Sequence, residues 1–288
     1  VDLDAEARRV TLQATDARGR RHELGLYLPP DFPQSPPELS ADLPAPLVPR
    51  PSGRTFSLAG VVRQWEAKLE EYQGHWTHLD DLDANTWILE PEVPPEVQSQ
   101  AKGQAEGAQA GGQVPRGALH RRLAVAPHAS ALFQLDPSRP HALPPTGLRF
   151  LGREATVAPL RARFNQAMTV QGTWDSSGDT TLRANLERCL GVTLPCPKRC
   201  LGAEDEDGHG FRAECAICYA YRLNPESADG AQGAIPETVC TNPKCSRSYH
   251  TLCLSEWLRA LPSSSRSFET IFGQCPYCFV PISVRAGS

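Results

Sequence analysis

Cysteine and histidine residues crowd the last quarter of the chain in four short pairs. Two residues separate the members of three pairs, and four residues separate the members of the second pair. Because a CxxC turn brings two thiolates to one ion and a structural zinc site needs four ligands, eight ligands predict two Zn²⁺ ions. In a cross-brace the first and third pairs share one ion, and the second and fourth pairs share the other. This assigns Cys215, Cys218, His250 and Cys253 to zinc 1, and Cys240, Cys245, Cys275 and Cys278 to zinc 2.

Disulfide bonds are the alternative chemistry for the ten cysteines of the chain. Disulfide frameworks belong mainly to short secreted chains, whereas this chain has 288 residues and a histidine at ligand spacing. The pattern therefore favours zinc, and with it a reducing compartment. Cys189, Cys196 and Cys200 lie upstream and have no matching pair left, so we expect ordinary core or surface thiols there.

Two classes of zinc module share this ligand order. PHD fingers read histone tails, and RING-type domains recruit a ubiquitin-loaded conjugating enzyme. The four-residue gap between Cys245 and His250 is closer to a PHD finger. Three features favour a RING-type domain: the helix predicted after Cys253, Pro276 in the closing pair, and Gly273 where PHD fingers usually carry an aromatic residue.

Apolar residues around the ligand pairs predict a shallow docking groove for the conjugating enzyme. They are Ile217 inside the first pair, Tyr219 just after it, Trp257 on the predicted helix and Pro276 in the closing pair. A place in the core of a small domain is the alternative for the first three. Since metal already organises such a domain, an apolar patch left on its surface indicates a binding site.

Charge and hydropathy exclude two other classes of protein. The chain has 29 basic and 33 acidic residues and a net charge of -4. It lacks the basic footprint of a nucleic-acid-binding protein, so no direct nucleic-acid contact is expected. No apolar run approaches the length that spans a bilayer, so we expect a soluble protein without a membrane partner. The start at Val1 and a single methionine, Met168, indicate a fragment of a longer protein.

Composition divides the chain into five segments. The predicted boundaries are residues 1–95 for a first lobe, 96–117 for a flexible Gln/Gly/Ala-rich insert, 118–195 for a second lobe, 196–213 for an acidic linker and 214–288 for the zinc domain. The insert contains too few apolar residues to offset the entropy of ordering it. Both lobes mix strands with helices, so the predicted fold class is α+β.

Apolar periodicity places the elements of the two lobes. In the first lobe, residues 10–14 and 23–28 alternate as half-buried strands do, and one helical face carries Val61, Trp65, Leu69 and Tyr72. In the second lobe, residues 124–135 and 148–151 are predicted as strands and 141–145 as a turn. Residues 157–168 and 181–190 are predicted as helices, the last of which is capped by Gly191.

The order of elements in each lobe resembles the RWD fold, which is related to ubiquitin-conjugating enzymes. The resemblance rests on a strand, a proline-rich segment (YLPPDFPQSPP and RPHALPPTGLRFLG) and a following helix. An active conjugating enzyme needs a cysteine nucleophile, and no cysteine occurs between Val1 and Arg188. The resemblance therefore implies two binding scaffolds without thioester chemistry, followed by a small two-zinc cross-brace RING domain.

Longer segments resemble one family closely. CAICYAYRL, HTLCLSEWLRAL and SFETIFGQCPYCFVPISV in the zinc domain, with TWILEPEVP and LPPTGLRFLG upstream, are similar to the Fanconi anaemia complementation group L family of RING-type E3 ubiquitin ligases. The insert is not part of that pattern, and the additional N-terminal domain of the family is missing. The resemblance implies a nuclear enzyme that attaches a single ubiquitin to paired Fanconi substrate proteins in DNA interstrand-crosslink repair, together with the subunits of the Fanconi core complex.

The same resemblance implies partners and site residues. A T-type ubiquitin-conjugating enzyme carrying ubiquitin would contact Ile217, Tyr219 and Trp257. Substrate would contact four other apolar residues, which are Trp87, Leu89, Leu143 and Leu151. The module would form no covalent bond with ubiquitin and would act by proximity and orientation.

Two points are left open by the sequence. Many RING domains place a cationic residue directly after the last ligand to hold ubiquitin, whereas this chain has Phe279 there. We hypothesise weak stimulation of the thioester, which suits transfer of a single ubiquitin. A PHD-like chromatin reader and a non-catalytic assembly scaffold are the alternative functions.

Overall fold

The computed structural model describes residues 8–91, 114–196, 214–223 and 233–285, and residues 2–3 by their backbone. The chain divides into two units. Unit 1 contains residues 1–81, 93–119 and 135–142, and unit 2 contains residues 82–92, 120–134 and 143–288. Within the described ranges, no helix is long and apolar enough to cross a membrane.

Unit 1 contains an antiparallel sheet with the strand order β1-β2-β3-β4. Its strands are β1 (Asp2–Leu3), β2 (Arg9–Thr15), β3 (Arg21–Tyr27) and β4 (Glu38–Ala41). Alternate residues of β3 are buried, among them Leu24 and Leu26. Because alternation with a period of two is what a half-buried strand requires, the strands predicted at 10–14 and 23–28 are confirmed.

The first helix, α1 (Leu58–Glu71), follows the sheet as predicted. It begins after Ser57, whose Oγ accepts a hydrogen bond from the Gly60 N–H at 3.1 Å, as a good N-cap does. Its buried residues Val61, Trp65 and Leu69 recur every four residues. This spacing places them on one face of the helix.

A second helix, α2 (Gln73–Asn85), was not predicted. Its buried apolar residues Trp76, Leu79 and Leu82 recur every third residue, with histidine and aspartate residues between them. Trp76 is fully buried and stacks on His22 of β3, with 4.5 Å between the ring centroids. The spacing of the buried residues places them on one face of a helix, so the sequence contained a helical signal that the prediction did not use.

The second sheet lies in unit 2 and has the order β5-β6-β7-β8. Its strands are β5 (Ile88–Glu90), β6 (His120–Ala126), β7 (Ala129–Gln134) and β8 (Arg149–Gly152). The single strand predicted at 124–135 is wrong, because the chain turns back at 127–128, where His128 has a φ of 56°. Ile88 pairs with Leu123, so β5 belongs to the second sheet although the sequence placed it in the first lobe.

Two helices complete the second lobe as predicted. They are α3 (Glu154–Thr169) and α4 (Leu182–Leu190). Thr181 caps α4 by accepting a hydrogen bond from the Ala184 N–H at 3.2 Å. Gly191 ends it in the left-handed conformation, with a φ of 63°, which glycine adopts at little cost.

The described residues 214–223 and 233–285 form what we call the cysteine-rich module. Its elements are β9 (Thr238–Val239), β10 (Ser248–Tyr249), α5 (Thr251–Arg259), β11 (Ser265–Ser267), β12 (Thr270–Gln274) and β13 (Pro281–Arg285). Leu254 and Leu258 of α5 share a small core with Ile271, Ile282 and several ligand cysteines. So small an apolar core rarely stabilises a fold by itself, which agrees with a module organised by metal.

The predicted insert and linker fall largely outside the described residues, at 96–113 and 197–213. The last residues of the insert are described and are packed. Val114 and Arg116 are buried, and the backbone N–H groups of Arg116 and Gly117 donate to the Asp42 carboxylate at 2.7 and 2.6 Å. Residues 114–117 therefore belong to the packed part of unit 1, and the other domain boundaries stay a prediction.

Candidate metal centres and docking surface

The first and third ligand pairs meet in one cluster, as the cross-brace predicts. The ligand atoms of Cys215, Cys218, His250 and Cys253 all lie within 4.8 Å of one another. The His250 Nδ1 atom is 3.3 Å from the Cys218 sulfur and 3.7 Å from the Cys253 sulfur. We call this cluster site 1.

The second and fourth pairs form the other cluster, which we call site 2. Its ligands are Cys240, Cys245, Cys275 and Cys278, again within 4.8 Å of one another. The sulfurs of Cys240 and Cys278 are 3.5 Å apart, and those of Cys245 and Cys275 are 3.8 Å apart. Clustered cysteines are either metal ligands or disulfide partners. These sulfur–sulfur distances fit metal ligands and are too long for disulfide bonds.

The geometry of both sites suits a tetrahedral metal ion. Zinc–sulfur bonds of about 2.3 Å place two sulfurs on a tetrahedron about 3.8 Å apart, whereas a disulfide needs about 2.05 Å. All cysteines in the described ranges are free thiols. Donor sets of three sulfurs with one nitrogen, and of four sulfurs, are those that structural zinc sites use.

A backbone carbonyl fixes the ring of His250. Its Nε2 atom lies 3.3 Å from the Tyr221 carbonyl oxygen, so the Nε2–H donates there and Nδ1 keeps its lone pair towards the sulfurs. Burial lowers the pKa of His250, which favours the neutral ring that a metal requires. Partners of this kind orient metal-binding histidines in many proteins.

A buried tyrosine supports site 2. The Tyr249 hydroxyl donates a hydrogen bond to the Cys275 sulfur, with 3.0 Å between the oxygen and the sulfur. Tyr249 is fully buried, and burial raises the pKa of its phenol. The hydroxyl therefore keeps its proton and stabilises negative charge on the sulfur.

The thiols differ in how readily they ionise without an ion. Burial raises the pKa of Cys240 and that of Cys253 to about 12. A hydrogen bond from the Val280 backbone lowers the pKa of Cys278 to about 6. Because metal binds the thiolate, loading the sites releases protons from the buried thiols.

The first and closing pairs share one backbone arrangement. The Tyr219 N–H donates to the Cys215 carbonyl at 2.8 Å, and the Phe279 N–H donates to the Cys275 carbonyl at 3.1 Å. Tyr219 and Phe279 both have a φ of 59°, which is uncommon for residues other than glycine. In each pair, the residue in the left-handed conformation reverses the chain direction directly after the second ligand. Phe279 therefore occupies the position after the closing pair that Tyr219 occupies after the first pair, and both side chains are exposed.

Three of the predicted docking residues lie on these two pairs. Ile217 is half-buried against the core of the module, and Tyr219 is 69% exposed. The Tyr219 hydroxyl is 3.1 Å from the Tyr277 hydroxyl, which donates to the Ala216 carbonyl at 2.8 Å. These bonds join the first pair to the closing pair that contains Pro276, which is half-buried.

The fourth predicted docking residue, Trp257, lies on α5. It is 43% exposed, whereas Leu254 and Leu258 of the same helix are fully buried. A side chain in this position presents apolar surface to solvent. A Cβ atom at Gly273 would lie 2.7 Å from the Leu258 Cδ2 atom and 2.7 Å from the Ser264 Oγ atom, so a larger residue there would displace these two side chains.

The four predicted substrate residues have different surroundings. Trp87 and Leu89 are 5% and 6% exposed and pack with Ala124 and Ile235. They are core residues that offer almost no surface to a partner. Leu143 is exposed and Leu151 is half-buried. Of the four residues, these two have surface that a substrate could contact, and the substrate role stays a prediction.

The cysteines outside the two clusters are core thiols where they are described. Cys189 and Cys196 are buried, which confirms the expectation for both, and Cys200 lies outside the described residues. The sequence reasoning missed Tyr249, although its place next to the ligand His250 was a signal. It also missed Arg247, whose guanidinium lies over the Tyr277 ring, 3.8 Å from the centroid.

Comparison with known proteins gives matches along most of the chain. Three family models match consecutive segments: FANCL UBC-like domain 2 at residues 1–72, FANCL UBC-like domain 3 at 112–197 and FANCL C-terminal domain at 211–287. The two lobes are therefore ubiquitin-conjugating-enzyme-like, as predicted, and the cysteine-rich module corresponds to the third segment.

Two relatives and one solved structure are also similar. The mouse protein named E3 ubiquitin-protein ligase FANCL is 33% identical over 276 residues, which are 96% of this chain and 62% of the mouse protein. The Drosophila melanogaster protein named E3 ubiquitin-protein ligase Fancl is 32% identical over 137 residues, covering 47% of this chain and 33% of the fly protein. A structure titled Crystal Structure of FANCL matches with a TM-score of 0.60 at 19% identity, covering 99% of this chain and 68% of that chain. That last likeness shows the fold, and the chain spans less than two thirds of the length of the mouse relative.

Proposed function

Because this chain belongs to the FANCL family, we propose that it is the part of an E3 ubiquitin ligase that recruits the conjugating enzyme. The observation that carries the proposal is the joined surface of the first and closing ligand pairs. It leaves Ile217 half-buried, Tyr219 exposed and Pro276 half-buried around two cross-braced sites. The names of the mouse and fly relatives support ubiquitin ligase activity.

We propose zinc as the ion at both sites. The sulfur-rich donor sets and the tetrahedral spacing of the ligand atoms support this choice. Zinc would supply structure only, since all four ligand positions of each site come from the protein and none is left open for a substrate.

The module then acts by holding two reactants together. A conjugating enzyme carrying ubiquitin on its cysteine docks on the surface around Ile217 and Trp257. A substrate lysine attacks the thioester and releases the cysteine thiol of the conjugating enzyme, so this chain forms no covalent intermediate with ubiquitin. The gain comes from proximity and orientation.

The finer assignments are part of the proposal. They are a T-type conjugating enzyme, paired Fanconi substrate proteins, the Fanconi core complex, interstrand-crosslink repair and a nuclear location. The family membership supports them. Gly273 stands where PHD fingers usually carry an aromatic residue, which supports the ligase over the PHD-like chromatin reader. That reader and a non-catalytic scaffold are the alternative functions.

A panel of conjugating enzymes tests the proposal. Discharge of ubiquitin from each charged enzyme to free lysine is measured with wild-type protein, Ile217→Ala and Trp257→Ala. We expect one enzyme class to respond, and each substitution to reduce its discharge by roughly tenfold or more, as for other central apolar anchors. Zinc content should stay at two ions per chain in both variants.

Phe268→Ala is the matched control. Among the described residues of the module, Phe268 has the most exposed large apolar side chain, at 95%, and it lies between β11 and β12 and not in a ligand pair. The Phe268→Ala variant should stimulate discharge of ubiquitin as the wild-type protein does. Full activity in both docking variants would place the enzyme elsewhere on the chain, and wild-type protein that fails with every enzyme would favour the scaffold.

A further inference from the structure

Within unit 2, the cysteine-rich module packs on the second lobe along a contact that we call the seam. Its apolar part consists of Trp87, Leu89 and Ala124 from the lobe side and Ile235 from the module, with Tyr221 packed against them. All but Tyr221 are buried. Apolar burial holds the two parts together but does not fix one orientation, because it has no direction.

The polar part of the seam centres on Arg122 of β6. Arg122 is 3% exposed. Its Nε donates to the Ser130 Oγ at 2.9 Å, and one terminal nitrogen lies 3.7 Å from the Glu90 carboxylate and 3.5 Å from the Glu237 carboxylate. One buried cation therefore faces a carboxylate from the lobe and another from the module.

The neighbouring contacts make the geometry directional. The second terminal nitrogen of Arg122 lies 3.5 Å from the Pro236 carbonyl. A cavity of about 40 Å³ is lined by Arg122, Ser130 and Glu237 among others. That volume accommodates a bridging water, which suits contacts of 3.5 Å and longer.

A second arginine ties the seam to a metal ligand. Arg222 donates to the Leu89 carbonyl of β5 at 2.8 Å. The residue before it, Tyr221, accepts the hydrogen bond of the His250 ring at 3.3 Å. The chain segment that orients a ligand of site 1 is thus bonded to the second lobe.

From these contacts we propose that Arg122 is a positioning residue. By holding Glu90 and Glu237 together, it fixes the orientation of the cysteine-rich module on the second lobe. A buried ion pair adds little stability compared with apolar packing, but it can select one arrangement. The second part of the inference rests on the proposed function: a fixed orientation determines from which direction the charged conjugating enzyme is presented, and so which lysines receive ubiquitin.

Pulsed electron paramagnetic resonance on the full chain measures the distance between two spin labels, and so tests the orientation of the module without any ligase assay. A keto amino acid replaces the exposed residues Asn165 of α3 and Ser263 beyond α5, and it accepts spin labels without touching the cysteines. Wild-type protein should show one narrow distance distribution. Since hydrogen bonds to charged groups are among the stronger ones in proteins, Arg122→Ala should raise the population of other orientations by roughly tenfold or more.

Two further variants separate orientation from folding. Glu237→Gln keeps the shape of a side chain that is a third exposed, so it should fold and should also broaden the distribution. Arg149→Gln is the matched control, because Arg149 pairs with the same Glu237 carboxylate at 3.4 Å but is 64% exposed. Exposed pairs contribute little, so its distribution should stay narrow. A narrow distribution in Glu237→Gln overturns the inference, even where Arg122→Ala fails to fold.

A transfer assay then tests the consequence. We expect discharge to free lysine to stay within about twofold of wild type in Glu237→Gln, because a small nucleophile needs no fixed direction. The pattern of ubiquitin on the chain's own lysines, read by mass spectrometry, should spread over more sites. An unchanged pattern contradicts the positioning role. Failure of wild-type discharge counts against the proposed function alone, since the distance measurement still tests the seam.

Discussion

Tyr249 is the residue through which the surroundings of site 2 act most directly on a ligand. Its hydroxyl is the donor to the Cys275 sulfur at 3.0 Å, inside a fully buried pocket. Hydrogen bonds to a ligand sulfur stabilise its thiolate form, which is the form that binds metal. A phenyl ring without the hydroxyl cannot donate this hydrogen bond.

Tyr249→Phe should therefore weaken the metal at site 2 while leaving the packing of the ring intact. Changes to such partners typically lower metal affinity by about 10- to 100-fold. Competition with a coloured chelator measures the loss. Tyr277→Phe serves as the control, because the Tyr277 hydroxyl donates to the Ala216 carbonyl and not to a sulfur; equal loss in both variants would contradict the role of Tyr249.

Among individual residues, the sequence predicted the ligands well and their surroundings poorly. Ligand type and spacing were enough to pair Cys215 with His250 and Cys240 with Cys275 in separate clusters, because a cross-brace follows chain order. The hydrogen bonds of Tyr221 and Tyr249 depend on the folded positions of distant segments. Trp87 and Leu89, predicted as substrate contacts, are buried in the seam, because an apolar segment has the same sequence pattern in a surface patch and in a buried contact.

Among the secondary-structure elements, the β6–β7 hairpin and the end of β8 depend on one glycine. Gly152 has a φ of 139°, and a Cβ atom there would lie 2.3 Å from the His128 carbonyl oxygen. Side chains other than glycine rarely adopt this conformation. The close approach of two backbones at this point leaves no room for a methyl group.

Gly152→Ala should destabilise unit 2 by about 2–4 kcal/mol, combining backbone strain with a clash against main chain. Gly147→Ala isolates the strain, since Gly147 has a φ of 66° and a Cβ atom there would meet nothing within 4 Å, and it should cost about 1–2 kcal/mol. Urea denaturation gives both values. Similar losses in the two variants would show that the contact with His128 is not limiting.

Asp16 joins β2 and β3 to α2 through a buried network. Its carboxylate lies 3.1 Å from Arg20 and 3.1 Å from His22, and it accepts a hydrogen bond from Gln73 at 3.0 Å. Burial acts to raise the pKa of Asp16, but hydrogen bonds from Gln73, Arg20 and His22 outweigh it and hold this pKa far below the usual 3.8. The folded state thus favours the charged carboxylate.

A lowered folded-state pKa fixes the sign of the pH dependence. The stabilisation from Asp16 is fully present above its unfolded pKa of about 4 and is lost as the pH falls below that value. Asp16→Asn should cost about 1–3 kcal/mol at pH 7 and should flatten the acid loss of stability in thermal melts. Asp31→Asn, at an exposed carboxylate, should keep the wild-type pH profile, and an unchanged profile in Asp16→Asn would contradict this account.

Elements with clean periodicity were predicted from sequence, and elements with a less evident pattern were not. The four-residue spacing of Val61, Trp65 and Leu69 identified α1 because one face of the helix is apolar. Helix α2 was not predicted, although its buried residues Trp76, Leu79 and Leu82 have helical spacing, because histidine and aspartate residues lie between them and make the apolar face less evident. The turn between β6 and β7 was not predicted, because His128 adopts a left-handed conformation that its residue type does not indicate.

Across the chain as a whole, sequence segments and structural units do not coincide. The three family models leave residues 73–111 between them unmatched, and this stretch contains α2 and β5. Strand β5 completes the second sheet, and the same strand provides Leu89 and Glu90 to the seam. The fold class and the order of modules were predictable, whereas this sharing of a strand was not, because strand pairing across a long insert leaves no local pattern.

The proposed function depends on the two cross-braced metal centres, and native mass spectrometry of the intact chain tests them most directly. We predict a mass corresponding to two zinc ions with all ten cysteines reduced, and loss of the folded cysteine-rich module when a chelator removes the metal. A chain that binds no zinc, or one whose ligand cysteines are joined in disulfides, would contradict the cross-brace.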